Sequence, residues 1–343
     1  MGSSEVLEEL GYERDLVVIG ASAGGVETLR RVVSGLPEDL PAAVCVVLHI
    51  SPESPSALAR ILHRAGPLPC RAATDGELLR PGQILVAPPD HHLVIADGRA
   101  RVTVGPRENG HRPSVDVLFR SAAVARHARV IGVVLSGTRD DGTAGLAVIK
   151  SGGGAAIVQD PDEALHPGMP SSALERVVVD AIVPSGQIAE TISAMVHGQQ
   201  ASAPHQQAQP RSDPRGDRLP SVCPECGGVL TERTEAGIPQ WECHVGHRYS
   251  PEGLADSQGD RVEMALWTAV RMLRDRSALL RRMAEQSEGR DQPRSAEQFR
   301  RQAEDATRQA ELVREALARA AAGALRRIAG GESEEAVGAK GSS

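Results

Sequence analysis

Aromatic residues are scarce. Two Phe, two Tyr and two Trp in 343 residues leave any core to Val, Leu, Ile and Ala. Long apolar runs are missing too: no stretch approaches the roughly 18 apolar residues that a membrane-spanning helix needs, so no direct membrane insertion is expected. Basic charge is not in excess. A net charge of −7 lacks the positive footprint of a general nucleic-acid binder, and no nucleic-acid partner is expected. Cysteine is sparse and odd in number, five with three clustered late, which fits a reduced cytoplasm better than a disulfide framework. The opening residues Met1-Gly2-Ser3-Ser4-Glu5-Val6 lack the charged and apolar regions of a secretory signal, and Val6 fails the myristoylation pattern.

What remains is the composition of an ordinary globular protein, 41% hydrophobic and 24% charged, long enough for about two domains. Apolar runs at Leu16–Ile19, Ala43–Leu48, Val130–Leu135, Ala155–Val158 and Val177–Val183 read as buried strands. Between them lie segments with helical spacing, at Val26–Val33, Ser56–Arg64, Ser114–Arg126, from Thr143, and at Gln187–Val196. Short strand-like pieces broken by Pro-Gly, Pro-Pro and Asp-Gly turns fill Arg71 to Val104. Such alternation predicts an α/β domain over residues 12–197, with a mostly parallel sheet covered by helices on both faces. Residues 198–220 turn to Gln, Pro, Ser, Arg and Asp and read as a disordered linker.

Gly20-Ala21-Ser22-Ala23-Gly24 follows the first strand and opens a helix whose apolar face carries Val26, Leu29 and Val33. It matches G-x-S-x-G, which sets a serine on a sharp strand-to-helix turn. The helix start aims free N–H groups and its positive dipole end at that turn, a geometry suited to an oxyanion. Glycine-rich turns of this kind also cradle phosphates, but the dinucleotide and P-loop fingerprints are absent. In parallel sheets, sites form at the carboxyl ends of strands. His49 follows the second strand, and Asp140-Asp141 follow Val130–Leu135. A serine nucleophile needs a base and an acid to orient that base, and these three strand tips can supply the set. The order Ser…His…Asp differs from the Ser…Asp…His order of α/β-hydrolases, so the elbow is similar but another fold is expected.

Residues 16–197 resemble the catalytic domain of the chemotaxis protein-glutamate methylesterases, the CheB family. The likeness rests on Gly20-Ala21-Ser22-Ala23-Gly24-Gly25, on His49, on Ala87-Pro88-Pro89-Asp90-His91-His92, and on His111 to Phe119. Gly132 to Gly137, Asp141-Gly142-Thr143-Ala144-Gly145 and Pro167-Gly168-Met169-Pro170 extend it. The resemblance implies a serine hydrolase that demethylates glutamate methyl esters on chemoreceptor-type proteins, releases methanol, and extends to deamidation of glutamines. It implies Ser22 as nucleophile, His49 as base and Asp141, which directly precedes the glycine, as the orienting acid. Backbone N–H groups near Ala23 and in the Gly137–Arg139 loop are candidate oxyanion donors, and no cofactor is implied for catalysis. The family's usual threonine after the serine is Ala23 here. Many members carry a receiver domain before the catalytic one, whereas here the elbow begins within about 20 residues of the start, too short for such a domain. Two readings stay open beside this one: a non-catalytic receptor-binding adaptor, and a general carboxylesterase.

Residues 221–256 carry Cys223-Pro224-Glu225-Cys226 and, 17 positions after Cys226, Cys243-His244-Val245-Gly246-His247. Two such knuckles suit tetrahedral Zn²⁺, with Cys223, Cys226, Cys243 and His247 as ligands of a closed, structural site. A redox C-x-x-C is disfavoured because no thioredoxin-like βαβ pattern surrounds it. Cys45 and Cys70 read as buried core thiols. Over 258–329 the chain reads as helix. One seam runs through Val262, Leu266, Ala269, Leu273, Leu280 and Met283, then Gly289 and Pro293 break it. A second seam runs through Phe299, Ala303, Ala306, Ala310, Val313, Leu317, Ala320 and Ala324. The pair predicts an antiparallel hairpin or a coiled coil open to self-association. Residues 330–343 read as a disordered tail.

Overall fold

A computed structural model describes residues 14–50, 57–198 and 222–334, with side chains up to residue 319. The expected linker over 199–220 lies outside the described residues, as does Ser56. The chain divides into two compact units, one within residues 1–257 and one within 258–343.

The first unit is built on β1 (Leu16–Ala21), every residue of which is buried. It pairs in parallel with β2 (Ala43–Leu48) on one side and β8 (Val130–Val134) on the other. Beyond β2 lie β5 (Ile84–Val86) and β3 (Cys70–Ala72); beyond β8 lie β9 (Ala155–Gln159) and β10 (Ala181–Val183). Among the described residues this is a seven-stranded sheet of order β10-β9-β8-β1-β2-β5-β3, parallel at every pairing. Successive residues of β1 point to opposite faces. Leu16 and Val18 enter one core with Leu118, Phe119 and Leu146, while Val17 and Ile19 enter another with Leu29, Leu62 and Ile192. Two covered faces explain why the strands are continuous apolar runs rather than alternating ones.

Helices α1 (Gly25–Gly35), α2 (Leu58–Ala65) and α6 (Ile188–Val196) supply the second core. Helices α3 (Val115–Arg126), α4 (Thr143–Ser151) and α5 (Gly168–Arg176) supply the first. Helix α1 turns differently from the expectation. Its buried stripe is Gly25, Leu29, Val32 and Val33, and Val26 is 39% exposed. The i, i+4, i+7, i+8 stripe begins at the glycine, which sets Val26 about 100° away from it. The run Val177–Val183 forms a strand only over its last three residues. Asp180 interrupts it by accepting Ala156 N–H at 2.7 Å and pairing with Lys150 at 2.7 Å. A side sheet, β4 (Glu77–Leu78), β7 (Arg99–Thr103) and β6 (His92–Ala96), is antiparallel in the order β4-β7-β6.

A second antiparallel sheet follows, of β11 (Leu230–Glu235), β12 (Ile238–Cys243) and β13 (Arg248–Tyr249). Its own core is small: Cys223, Leu230, Cys243, Tyr249 and Leu254, with Trp241 against them. The module is seated on the parallel-sheet domain, since Ile238 joins that domain's core. Arg120, half-buried beneath it, is held by Glu108 and by Glu235 at 3.4 Å. Helix α7 (Pro251–Glu288) starts directly after β13, earlier than the helical spacing alone suggests, because Ser250 Oγ accepts Gly253 N–H at 2.9 Å and so caps its first turn.

In the second unit α7 and α8 (Pro293–Glu334) form an antiparallel hairpin, the first of the two expected arrangements. Ser277 Oγ on α7 lies 2.9 Å from both the Ala303 carbonyl and the Thr307 hydroxyl on α8. Val270, Leu280 and Ala284 meet Ala296, Ala303, Ala306 and Ala310 in the buried seam, where alanines allow close approach, whereas Val262 is exposed. Helix α8 runs to Glu334, five residues into the stretch read as a tail; residues 335–343 lie outside the described residues.

Candidate active site

The three central strands of the sheet end at the three expected side chains. Ser22 follows β1, His49 follows β2, and Asp141 lies in the loop between β8 and α4. Neighbouring strands are about 4.8 Å apart, so side chains at their tips come within hydrogen-bonding reach. Ser22 Oγ lies 3.1 Å from His49 Nδ1, and His49 Nε2 lies 2.7 Å from Asp141 Oδ2. An ionised carboxylate only accepts, so Nε2 carries the proton toward Asp141 and Nδ1 is left to accept from the serine hydroxyl. The His49 and Asp141 side chains are 7% and 2% exposed.

The elbow is held from three sides. Gly24, at φ 73°, takes the left-handed turn that starts α1. Ser22 N–H donates to the Ser136 carbonyl at 2.9 Å, and Ser136 Oγ donates to the Ala23 carbonyl at 2.9 Å. Gly137 packs against Ser22, since a Cβ there would come within 2.8 Å of Ser22 Cβ. One expected oxyanion donor is corrected: Gly137 N–H already donates to the His166 carbonyl at 2.9 Å.

Asp141 is seated at the N-terminus of α3. Val115 N–H donates to its Oδ2 at 2.7 Å, and Asp116 N–H and Ser114 Oγ donate to its Oδ1 at 3.2 and 2.9 Å. Ser114 makes no cap of its own to the helix, so the Asp141 carboxylate is the cap. Burial raises the carboxyl's pKa, but the His49 contact and these N–H donors outweigh it and hold Asp141 well below the usual carboxylate range. Asp116 moves the opposite way, pushed well up by burial and by the Asp141 charge. Two adjacent buried carboxyls are thus pushed in opposite directions, one by donors and an imidazole, the other by burial and a neighbouring charge. Asp140, the alternative aspartate of the pair, points away from His49. Burial pushes it up to about 6, against a hydrogen bond from Ser250.

Several contributors carried no role in the sequence reading. His111 stacks on His49 with ring centroids 3.8 Å apart, and burial together with His49 pushes its pKa down to about 4. Asn109 Nδ2 lies 3.4 Å from Asp141 Oδ1 and 3.3 Å from Asp116 Oδ2. Only the serine preceding a helical pattern hinted at a capped anion. Asp90 and Arg112, from two of the quoted motifs, pair at 2.8 Å and fix the loop that carries His111.

This chain matches the family profile described as CheB methylesterase over residues 17–192, slightly more than half of its length. The chain belongs to the CheB methylesterase family. It is 43% identical over 180 residues to "Protein-glutamate methylesterase/protein-glutamine glutaminase 3" of Anaeromyxobacter dehalogenans, covering 52% of this chain and 53% of that protein. A "Putative protein-glutamate methylesterase/protein-glutamine glutaminase" of Leptospira interrogans is 38% identical over 182 residues, covering 53% of this chain and 93% of that protein. The crystal structure of the Thermotoga maritima CheB methylesterase catalytic domain superposes with a TM-score of 0.51 at 32% identity, covering 54% of this chain and all of that one. The chain spans about half the length of the first of these relatives. Among the described residues, no helix is long and apolar enough to cross a membrane.

Outside the CheB-family segment, Cys223, Cys226, Cys243 and His247 come together with all four donor atoms within 4.8 Å of one another. The cluster can hold a metal ion. Cys226 Sγ lies 3.6 Å from Cys243 Sγ, and His247 Nδ1 lies 3.6 and 3.5 Å from the sulfurs of Cys223 and Cys243. None of the five cysteines is in a disulfide. Burial raises the Cys243 thiol, but the N–H groups of His247 and Val245 overcome this and pull it down to about 6. Cys45 and Cys70, by contrast, are buried in the core, where burial pushes both thiols up to about 12.

Proposed function

We propose that this CheB-family chain is a protein-glutamate methylesterase whose catalytic residues are Ser22, His49 and Asp141. The observation that carries the reading is the continuous relay from Ser22 Oγ through both ring nitrogens of His49 to Asp141, at 3.1 and 2.7 Å. His49 Nδ1 takes the hydroxyl proton as Ser22 Oγ attacks the ester carbonyl of a methylated glutamate side chain. The Ala23 N–H, next to the serine and ahead of α1, is the proposed donor to the oxygen that becomes negative. Collapse of the tetrahedral species breaks the C–OCH3 bond, and the methoxide leaves as methanol with the proton from Nδ1. Water then attacks the acyl-serine and loses a proton to Nδ1; the carbonyl C–Oγ bond breaks, Nδ1 returns that proton to Ser22 Oγ, and the glutamate leaves as its carboxylate. A glutamine side chain follows the same course with ammonia as the leaving group. Asp141 keeps the Nε2 proton in place and stabilises the imidazolium, while the stacked His111 stays neutral at its lowered pKa.

Methylated chemoreceptor-type proteins are the proposed substrates and partners, and residues 12–197 the catalytic domain. For residues 221–256 we propose a structural Zn²⁺ on Cys223, Cys226, Cys243 and His247. Zinc–ligand bonds of about 2.3 Å to sulfur and 2.0–2.1 Å to nitrogen put tetrahedral donors about 3.5–3.8 Å apart, close to the 3.6, 3.6 and 3.5 Å of Cys223–His247, Cys226–Cys243 and Cys243–His247. When bound, zinc would supply cross-linking and no chemistry at the serine.

The test is methanol release from methylated receptor by the full chain and by Ser22→Ala. The parent should turn over and the variant should fall to background; release by Ser22→Ala at the parent's rate would refute the assignment.

A further inference from the structure

The stretch that carries Cys243 and His247 also grips the loop behind the proposed triad, and one side chain of that loop, Asn109, extends the grip to the aspartate. Arg248 and Ser250 follow His247 directly. The Arg248 carbonyl accepts Asn109 N–H at 2.8 Å, and Ser250 N–H donates to Asn109 Oδ1 at 2.8 Å. Because that oxygen faces a backbone N–H, which can only donate, the amide of Asn109 is oriented with its NH2 toward the carboxylates. There Nδ2 reaches Asp141 Oδ1 and Asp116 Oδ2. Asn109 is 3% exposed and sits at φ 52°, a left-handed conformation that asparagine tolerates well. The same loop carries His111, stacked on His49.

We infer that the Cys/His module is a clamp for the catalytic aspartate, with Asn109 as the positioning residue that links a metal-loaded cluster to Asp141. The inference rests on the methylesterase reading and extends it. The module's own core is five buried residues and β13 is two residues long, so the position of β13 depends on what ties down its flanks. A loaded cluster ties Cys243 and His247 to Cys223 and Cys226, and so holds β13 where Arg248 and Ser250 meet Asn109. The fully buried Tyr249 adds a contact from its hydroxyl to Cys223 Sγ at 3.5 Å. A second grip steadies the other side of the site: Arg139, two residues before Asp141, pairs with Asp256 at 3.0 Å, and Ser250 bonds Asp140. With the cluster empty, Asn109 loses both backbone partners, and Asp141 loses a fixed donor on Oδ1.

The experiment uses the full chain, loaded with zinc chloride, stripped with a chelator under reductant, and reloaded. Two quantities are read: the rate at which a fluorophosphonate probe labels Ser22, and the downfield proton resonance of His49 Nε2–H bonded to Asp141. Stripping should slow labelling about ten- to hundredfold, the cost of a small misplacement in a catalytic set, and broaden or remove the resonance. Reloading should restore both. Asn109→Gly, which keeps the left-handed backbone, should label slowly even when loaded and change less than twofold on stripping. Cys226→Ser, at an exposed ligand, should behave as stripped protein and covers the case in which Asn109→Gly does not fold. Unchanged labelling and resonance on stripping would overturn the clamp and leave the esterase reading standing. An equal effect of stripping on the parent and on Asn109→Gly would overturn the route through Asn109. Loss of the parallel sheet's circular dichroism on stripping would replace the clamp with a global folding role. No labelling of loaded parent at Ser22 would instead sink the hydrolase reading itself.

Discussion

At the residue scale, the site is a set of neighbouring ionisable groups pushed apart by their surroundings. Asp141 is held low by His49 and by three donors at the start of α3, while burial and the Asp141 charge push Asp116 beside it well up. Asp140 carries a cost with a defined pH window. Unfolded, it ionises at the ordinary value of 3.8; folded, burial pushes it up to about 6, and its Oδ1 is buried without a hydrogen-bond partner. Between those values the folded state holds the extra proton, so its contribution falls as pH rises through the window and stays lowered above it. Asp140→Asn should therefore gain about 1–3 kcal/mol of unfolding free energy at pH 7.5 and almost nothing at pH 4, as urea titrations at the two pH values would report. Destabilisation equal at both pH values would contradict this account.

At the scale of elements, the position of Ser22 depends on how closely two loops approach. Gly137 lies between Ser22 and Met169, and a Cβ added there would sit 2.1 Å from Met169 Sδ and 2.8 Å from Ser22 Cβ. Gly137→Ala should cost about 1–3 kcal/mol in urea unfolding through overpacking, and turnover should fall more than tenfold because Ser22 is displaced from His49. A variant as stable and as active as the parent would show that the loops can part without consequence. The elbow and the cysteine knuckles were readable in sequence because each is a local pattern with residues at fixed offsets. The cap on Asp141 was not, since it joins a loop after β8 to a helix start 25 positions earlier in the chain. Nor was the short edge strand β10, where the Asp180 side chain takes over hydrogen bonding from an apolar run.

For the whole molecule, the informative measurement is metal content. Purified full-length protein should carry about one zinc per chain by elemental analysis, and Cys226→Ser should lower that well below one, since three ligands bind a structural ion far more weakly than four. Zinc near zero in protein purified without chelator would remove the structural-ion proposal. The helical unit was legible in outline: seams on either side of Gly289 and Pro293 became the two arms of a hairpin. Its details were not, because which residues of α7 turn inward was settled by the alanine face of α8, which accepts Val270, Ser277 and Ala284 and leaves Val262 outside.

By itself the sequence determined the buried strands, the serine on its turn, the histidine and aspartate at strand tips, and the paired Cys/His knuckles. All of these follow from spacing within a few residues. Only the tertiary structure decided that β1 lies between β2 and β8, which brings Ser22, His49 and Asp141 into one relay, and that Asn109 reaches both Ser250 and Asp141. Strand order and loop docking are set by the packing of two cores across a shared sheet, an interaction between distant parts of the chain that no local pattern encodes.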